Sequence, residues 1–224
     1  CHAIAGHMLV AMFHETASLC QIRFLLFYPW LLNVTSIYFV TNKQINPVSA
    51  LLPASKEIPM SSILLVTTSP RGKESVSSKL ATELAEKLAA KSGGTVVRRD
   101  VGNKPLPHID SDFVTATRSG KTDFSAHEKA AHDRAMEIVG EVKAAEIIVI
   151  GAALINFNAT TNLKGWVDHL AMPKETFQYG ANGPEGLVTG KKVYVVSASA
   201  GSYGDGPGDY LKPVGEALAR AHGK

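Results

Sequence analysis

Cysteine is scarce in this sequence: its 224 residues hold two, Cys1 and Cys20. Nothing after residue 20 can supply a disulfide, a thiolate metal ligand or a cysteine nucleophile, which suits a reducing compartment such as the cytoplasm. An excess of charge is also missing. Twenty-three Lys plus Arg against 20 Asp plus Glu leave a formal +3, too even for the dense positive field that phosphate-backbone binding needs, so nucleic acid is not an expected partner. No Gly-x-Gly-x-x-Gly fingerprint and no Gly-x-Ser-x-Gly elbow occurs, which disfavours a dinucleotide-binding dehydrogenase and a serine hydrolase. Metal-ligand clusters are absent from the pattern as well. What remains is 45% hydrophobic and 19% charged, the balance of a chain that buries a core.

Charge is thinnest at the start. Residues 1–59 carry only Glu15, Arg23, Lys43, Lys56 and Glu57, and an uncharged run extends from Phe24 to Asn42. Pro29, Asn33, Thr35 and Ser36 dilute that run below what a membrane span requires, and no small-x-small cleavage site follows it. We expect 1–59 to be a non-domain leader translated upstream of an authentic start at Met60; a real anchor at 24–42 is the second reading.

From Met60 onward, the hydrophobic period switches back and forth. Ile63–Val66 is a short aliphatic strand ending in turn residues 67–72; Leu80, Leu84 and Leu88 recur at helical spacing before Gly93-Gly94. Thr95–Val101 reads as a second strand, followed by a Pro-broken stretch and a long loop. Ser125 and Glu128 form a capping-box pattern ahead of a helix striped by Ala131, Ala135, Ile138, Val139 and Val142. Ile147–Ile150 has no polar alternation, as a strand covered on both faces requires. Thr160 or Thr161 can cap a further helix ending near Pro173, Asn182-Gly183 marks a small hairpin, and Val193–Val196 is the next buried strand. This β-α-β-α order predicts an α/β three-layer fold with a doubly wound parallel sheet.

Ligands of such sheets bind beyond the carboxyl ends of the strands, where the strand order reverses. The loop of residues 69–77 offers Ser69, Ser75 and Ser77 just ahead of a helix, where free N–H groups and the helix dipole hold a phosphate. It has no Gly-Lys-Ser/Thr ending, so it is not a Walker loop; its serines can equally serve as caps alone. Residues 151–158 place apolar and amide groups beyond the central strand, as a flat heterocycle wants, although Leu154, Ile155 and Phe157 can equally finish the core. Residues 197–204 are small enough for close backbone approach, or for an ordinary turn.

Met60–Gly72 (MSSILLVTTSPRG), Asn156-Phe157-Asn158 and above all Asn182–Lys192 (NGPEGLVTGKK) resemble the bacterial FMN-dependent NADH:azoreductases, flavodoxin-like NAD(P)H:quinone reductases. The likeness runs from Met60 to about Leu218. It implies an FMN-binding domain over 60–224, a homodimer, and electron transfer from NADH or NADPH to small quinone or azo acceptors by ping-pong kinetics. Position by position, it implies that Ser69, Ser75, Val76 and Ser77 hold the cofactor's phosphate. Leu154, Ile155, Asn156 and Phe157 match the family's Met-Tyr-Asn-Phe flavin loop, with Ala153 in place of the usual Pro. Ala198, Ser199, Ala200 and Gly201 match a Ser-Arg-Gly-Gly segment without its Arg. The family pattern continues beyond the fourth strand, which implies here a flavodoxin-like sheet lacking the fifth strand and last helix, with an open edge. No side chain is singled out as catalytic; of His108, His127, His132 and His169, most are expected to be solvated. The alternative is a flavodoxin-type electron carrier or a non-catalytic FMN-binding protein.

Overall fold

Three strands of almost uninterrupted aliphatic character build the centre of the sheet, and each is covered on both faces. The structure is a computed structural model that describes residues 32–33, 36–40, 62–156, 158–181 and 183–198. In chain order the strands are β1 (Leu32–Asn33), β2 (Ser36–Val40), β3 (Ser62–Thr67), β4 (Thr95–Asp100), β5 (Ile147–Ile155), β6 (Asn158–Ala159), β7 (Phe177–Gly180), β8 (Gly183–Gly186), β9 (Val188–Thr189) and β10 (Lys192–Ala198). The helices are α1 (Val76–Ser92), α2 (Ser111–Arg118), α3 (Ala126–Ala144) and α4 (Thr161–Leu170). The main sheet runs β2-β10-β5-β3-β4, all parallel.

Side-chain alternation divides the core in two. Ile63, Leu65, Ile147, Val149, Tyr194 and Val196 face α1, whose Ala81, Leu84, Ala85 and Leu88 are buried against them. Leu64, Val66, Ile148, Ile150, Val193 and Val195 face the other layer, with Ile138 and Val142 of α3 and Leu163, Trp166 and Leu170 of α4. The helix ends follow the chemistry of the sequence. Gly93, at φ 66°, ends α1 in the left-handed conformation. Ser125 and Glu128 form the capping box of α3 through both reciprocal bonds. Thr160 caps α4 by accepting from Leu163 N.

Three features depart from expectation. The long loop after β4 contains α2, which Asp110 caps by accepting from Phe113 N at 2.8 Å, while Phe113 anchors the helix in the core at 3% exposure. Strand β5 continues five residues past Ile150, to Ile155. The edge of β10 is not open: residues 36–40, expected to lie in a non-domain leader, pair with it in parallel and occupy the fifth place of the sheet. Backbone hydrogen bonding favours this, since an unpaired strand edge leaves a row of N–H and C=O groups without partners. Residues 24–31, 34–35 and 41–42 of the apolar run, and residues 199–224, lie outside the described residues. Among the described residues no helix is long and apolar enough to cross a membrane.

The edge strand β4 is tied to α3 by Arg99, whose guanidinium donates to Glu141 and, at 2.6 Å, to Glu137. These hydrogen bonds to Glu141 and Glu137 outweigh burial and hold Arg99 above its ordinary pKa.

His169 is the exception among the histidines expected to be solvated: it is 1% exposed, its Nδ1 lies 2.8 Å from Gly165 O, and its ring meets the edge of Phe113 at 4.8 Å. Burial lowers its pKa below the ordinary 6.5, Arg134 adding to the effect against the hydrogen bond to Gly165 O. Because the folded pKa is depressed, the unfolded chain takes up the proton first. The contribution is therefore present above pH 6.5 and is lost as pH falls from there toward the folded pKa. Urea midpoints measured from pH 7.5 down to pH 5 will fall, and His169→Gln will flatten that slope; equal slopes in the two proteins would refute the assignment.

Candidate cofactor-binding site

The chain passes from β3 to β4 on one side and then returns to β5 on the other side of β3, so the strand order reverses between β3 and β5. In an open α/β sheet the ligand crevice is expected there, at the carboxyl ends of the strands. Thr67 is level with Gly151, and Ala153 is level with Ala198. The loops leaving β3, β5 and β10 thus start on three adjacent strands, within about 10 Å of one another.

Thr68 fastens the first two loops together. Its amide and its Oγ1 both donate to Gly151 O, at 3.2 and 2.9 Å. The Oγ1 also accepts from Ala153 N at 3.4 Å, and the Thr68 carbonyl accepts from the Thr160 hydroxyl at 3.2 Å. One buried residue therefore fixes the loop after β3 to the end of β5 and to the start of α4. Below it, Thr67 O accepts from the amides of Val101 and Gly102. Asp100 draws the turn tight by accepting from Gly102 N, Asn103 N and Asn103 Nδ2. Burial raises the Asp100 pKa, but the hydrogen bonds from Asn103, Thr67 and Gly102 win and hold it below the ordinary carboxylate value.

Ser69, Ser75 and Ser77 are each at most 3% exposed. Ser69 Oγ accepts from Arg71 N at 3.3 Å, leaving its own hydrogen to donate. Ser75 is the N-cap of α1, accepting from Ser78 N at 3.3 Å, and its hydroxyl lies 3.1 Å from that of Ser77. Capping and ligand binding are thus not exclusive alternatives here. The amides of Val76 and Ser77, in the first turn of a 17-residue helix, are groups that a helix does not satisfy internally. Val76 itself is 39% exposed at the rim. Hydroxyls, free amides and a positive helix end together form a donor set for a phosphate ester.

At the second loop, Leu154 and Ile155 pair antiparallel with Ala159 and Asn158. They are strand residues, not loop residues. Asn156, which follows Ile155, stands at φ 51°, a left-handed conformation that Asn tolerates better than most L-residues. Ile155 is 43% exposed, so it does not complete the core but offers apolar surface beside the crevice. Phe157 lies outside the described residues. At the third loop, Ala198 ends β10, while Ser199, Ala200 and Gly201 lie outside the described residues. Ser197, the first residue of the expected loop 197–204, belongs instead to β10, and its buried Oγ has no partner among the described residues.

The β7–β8 hairpin stands as expected, Phe177 pairing with Gly186 and Gly180 with Gly183. Phe177 is buried at its base and Tyr179 is 79% exposed further out. A groove of about 590 Å³ flanks the first loop on its outer side, between α1 and β4, lined by charges of both signs including Lys79, Glu83, Glu86 and Arg98. No residue of β5 lines it, so it is distinct from the crevice.

The flavodoxin-like fold family model matches residues 61–223. FMN-dependent NADH:quinone oxidoreductases are similar in sequence: that of Agrobacterium fabrum is 50% identical over 163 residues, covering 69% of this chain and 80% of its own, and Rhizobium etli enzyme 1 is 53% identical, covering 69% and 79%. The chain belongs to the flavodoxin-like family of FMN-dependent NADH:quinone oxidoreductases. Solved structures in the same group agree on the fold. An azoreductase from Bacillus anthracis Sterne is 28% identical with a TM-score of 0.61, covering 71% of this chain and 81% of its own. An FMN-dependent NADH-azoreductase from Bacillus anthracis Ames Ancestor, solved in complex with FMN, is 25% identical with a TM-score of 0.60, covering 72% and 81%. This family membership agrees with the crevice: a phosphate donor set and an apolar rim side by side are what a flavin mononucleotide requires.

Proposed function

We propose that this protein is an FMN-dependent oxidoreductase that passes electron pairs from NADH or NADPH to quinones and azo compounds. The observation that carries the reading is the junction at Thr68, which holds the serine loop at the head of α1 next to the end of β5, at the reversal of strand order. The relatives named above lend it their activity. In this reading Ser69, Ser75, Ser77 and the amides of Val76 and Ser77 hold the FMN phosphate. Leu154, Ile155, Asn156 and Phe157 border the ring, with Ala198, Ser199, Ala200 and Gly201 on its other side. Bound there, FMN supplies two-electron redox chemistry that no side chain of the protein can perform.

The chain's own part is to bind, orient and shield. The first-turn amides neutralise the phosphate dianion. The Thr68 bonds keep two walls of the crevice at a fixed separation, so that donor and acceptor meet the same face in turn. Alternate occupancy of one place gives ping-pong kinetics. We place the protein in the cytoplasm as a homodimer whose second subunit closes the exposed side of the crevice. Light scattering checks the dimer.

The deciding experiment is the visible spectrum of purified protein supplemented with FMN, followed by NADH oxidation in the presence of a quinone. Bound oxidised flavin and quinone-dependent turnover are expected. A colourless protein after desalting would end the proposal, and flavin binding without turnover would favour an electron carrier. Asn156→Ala should lower flavin occupancy several-fold, because alanine in the left-handed region costs about 1 kcal/mol and the side-chain amide is lost with it. Asn156→Gly separates the two causes, since it removes the amide without backbone strain; full occupancy in both variants would remove Asn156 from the site.

A further inference from the structure

Away from the serine loop, α2, α3 and α4 enclose a cavity of about 160 Å³. No residue of that loop, of β5 or of β10 lines it, so it is separate from the place assigned to the flavin. Its buried lining is Phe113 of α2, Ala131 of α3 and His169 of α4. Partly buried Arg134 of α3 and Asp112 of α2 line it as well, and exposed Asp110 lies toward its mouth.

Two of these groups are unused. A carbonyl oxygen only accepts, so the 2.8 Å contact between His169 Nδ1 and Gly165 O puts the hydrogen of the neutral ring on Nδ1. Nε2 therefore keeps its lone pair, and no described residue donates to it. Arg134 forms no hydrogen bond or ion pair among the described residues, although a guanidinium drawn from water ordinarily finds an acceptor. The cavity thus holds a fork of free N–H donors and a buried free acceptor.

Size and charge narrow the occupant. Clefts that take drug-sized ligands run to roughly 300–1,000 Å³, so this one admits only a small molecule. A simple anion would suit Arg134 but face the carboxylates of Asp110 and Asp112, and a simple cation would suit those carboxylates but face Arg134. A molecule carrying both charges satisfies all of them. Asp110 Oδ1 is engaged as the cap of α2, accepting from Phe113 N at 2.8 Å, which leaves Oδ2 for a ligand. Phe113 and Ala131 offer apolar surface to a short side chain.

We propose that this cavity binds a small zwitterion of the α-amino acid class, its carboxylate on the Arg134 guanidinium and its ammonium group shared by His169 Nε2 and the carboxylates of Asp110 and Asp112. Guanidinium and carboxylate match through two parallel hydrogen bonds, and the imidazole acceptor reads the N–H end. The occupant bridges α2 to α3 and α4. Of these four helices, α2 buries the fewest side chains, Phe113 and Ala116, so it is the one whose seating the ligand strengthens.

Backbone-amide NMR spectra of the full-length protein titrated with L-alanine test this. Saturable shifts are expected at residues 110–113, 131–134 and 169. Acetate and ethylamine, which carry one charge each, should bind at least about tenfold more weakly. Arg134→Met retains the aliphatic stem and removes the donors; it should weaken L-alanine by about tenfold or more while leaving the urea midpoint in place. Acetate binding as tightly as L-alanine, or an unchanged affinity in Arg134→Met, would overturn the proposal. Shifts that never saturate, or that centre on Val76 and Ser77 instead, would overturn it too.

Discussion

Gly102→Ala will cripple both folding and flavin binding, although it adds one methyl group. A Cβ at residue 102 would lie 2.3 Å from Ser69 O and 3.0 Å from Ser69 N. Both are backbone atoms, so no rotamer change can relieve the contact. Gly102 cannot retreat easily, because its amide donates to Thr67 O and to Asp100 Oδ1, each at 3.1 Å. The loop of Ser69 must therefore move, and it is the loop that carries the phosphate donors. Overpacking of this kind costs about 3 kcal/mol, and a donor set displaced with it should weaken FMN by roughly tenfold or more, equivalent to about 1.4 kcal/mol. Urea denaturation and quenching of flavin fluorescence on titration measure the two effects. A variant with wild-type stability and affinity would show that the loop does not rest on Gly102.

Thr68→Val is nearly isosteric, so it opens no cavity and isolates the polar junction. The Gly151 carbonyl retains the Thr68 amide, at 3.2 Å, and is not orphaned by the change. Ala153 N loses the Thr68 hydroxyl in a buried setting, and of the three bonds between the two loops only the one from the Thr68 amide remains. A lost buried hydrogen bond with one partner left short costs about 2 kcal/mol. Flavin affinity should fall more than the stability of unrelated regions, because the lost bonds span the crevice. Thr68→Ser, which retains the hydroxyl, should restore affinity. Failure of serine to rescue would assign the effect to the methyl group's packing.

Much of the architecture was legible because single residues carry unambiguous local physics. Leu80, Leu84 and Leu88 could only be one face of a helix. Ser125 and Glu128 fixed where another begins, and the run Ile147–Ile150 had to be covered on both sides. Legibility failed where local signals were weak or opposed. Helix α2 follows Pro105 and Pro107, and in eight residues it buries only Phe113 and Ala116; Asp110 as a cap was the available sign. The second half of β5 contains Gly151, Ala152 and Ala153, poor strand formers held in register by neighbours distant in sequence. The partner of residues 36–40 lies some 156 positions away, beyond the reach of any period. The serines of the first loop were found by their position ahead of a helix, whereas Ser197 was read as the start of a loop although it continues β10.

The close seating of α1 on β5 links cofactor and fold. A Cβ on Gly151 would meet Ser77 O and the Ala81 methyl at 3.1 Å, so the helix that presents the phosphate donors rests directly on the central strand. A ligand at that helix head will tighten the same wall that closes the core, and free energy of binding will appear as added thermal resistance in proportion to the logarithm of ligand concentration. A melting screen with riboflavin phosphate, riboflavin and inorganic phosphate would then separate what the ring contributes from what the ester contributes, without any assay of turnover.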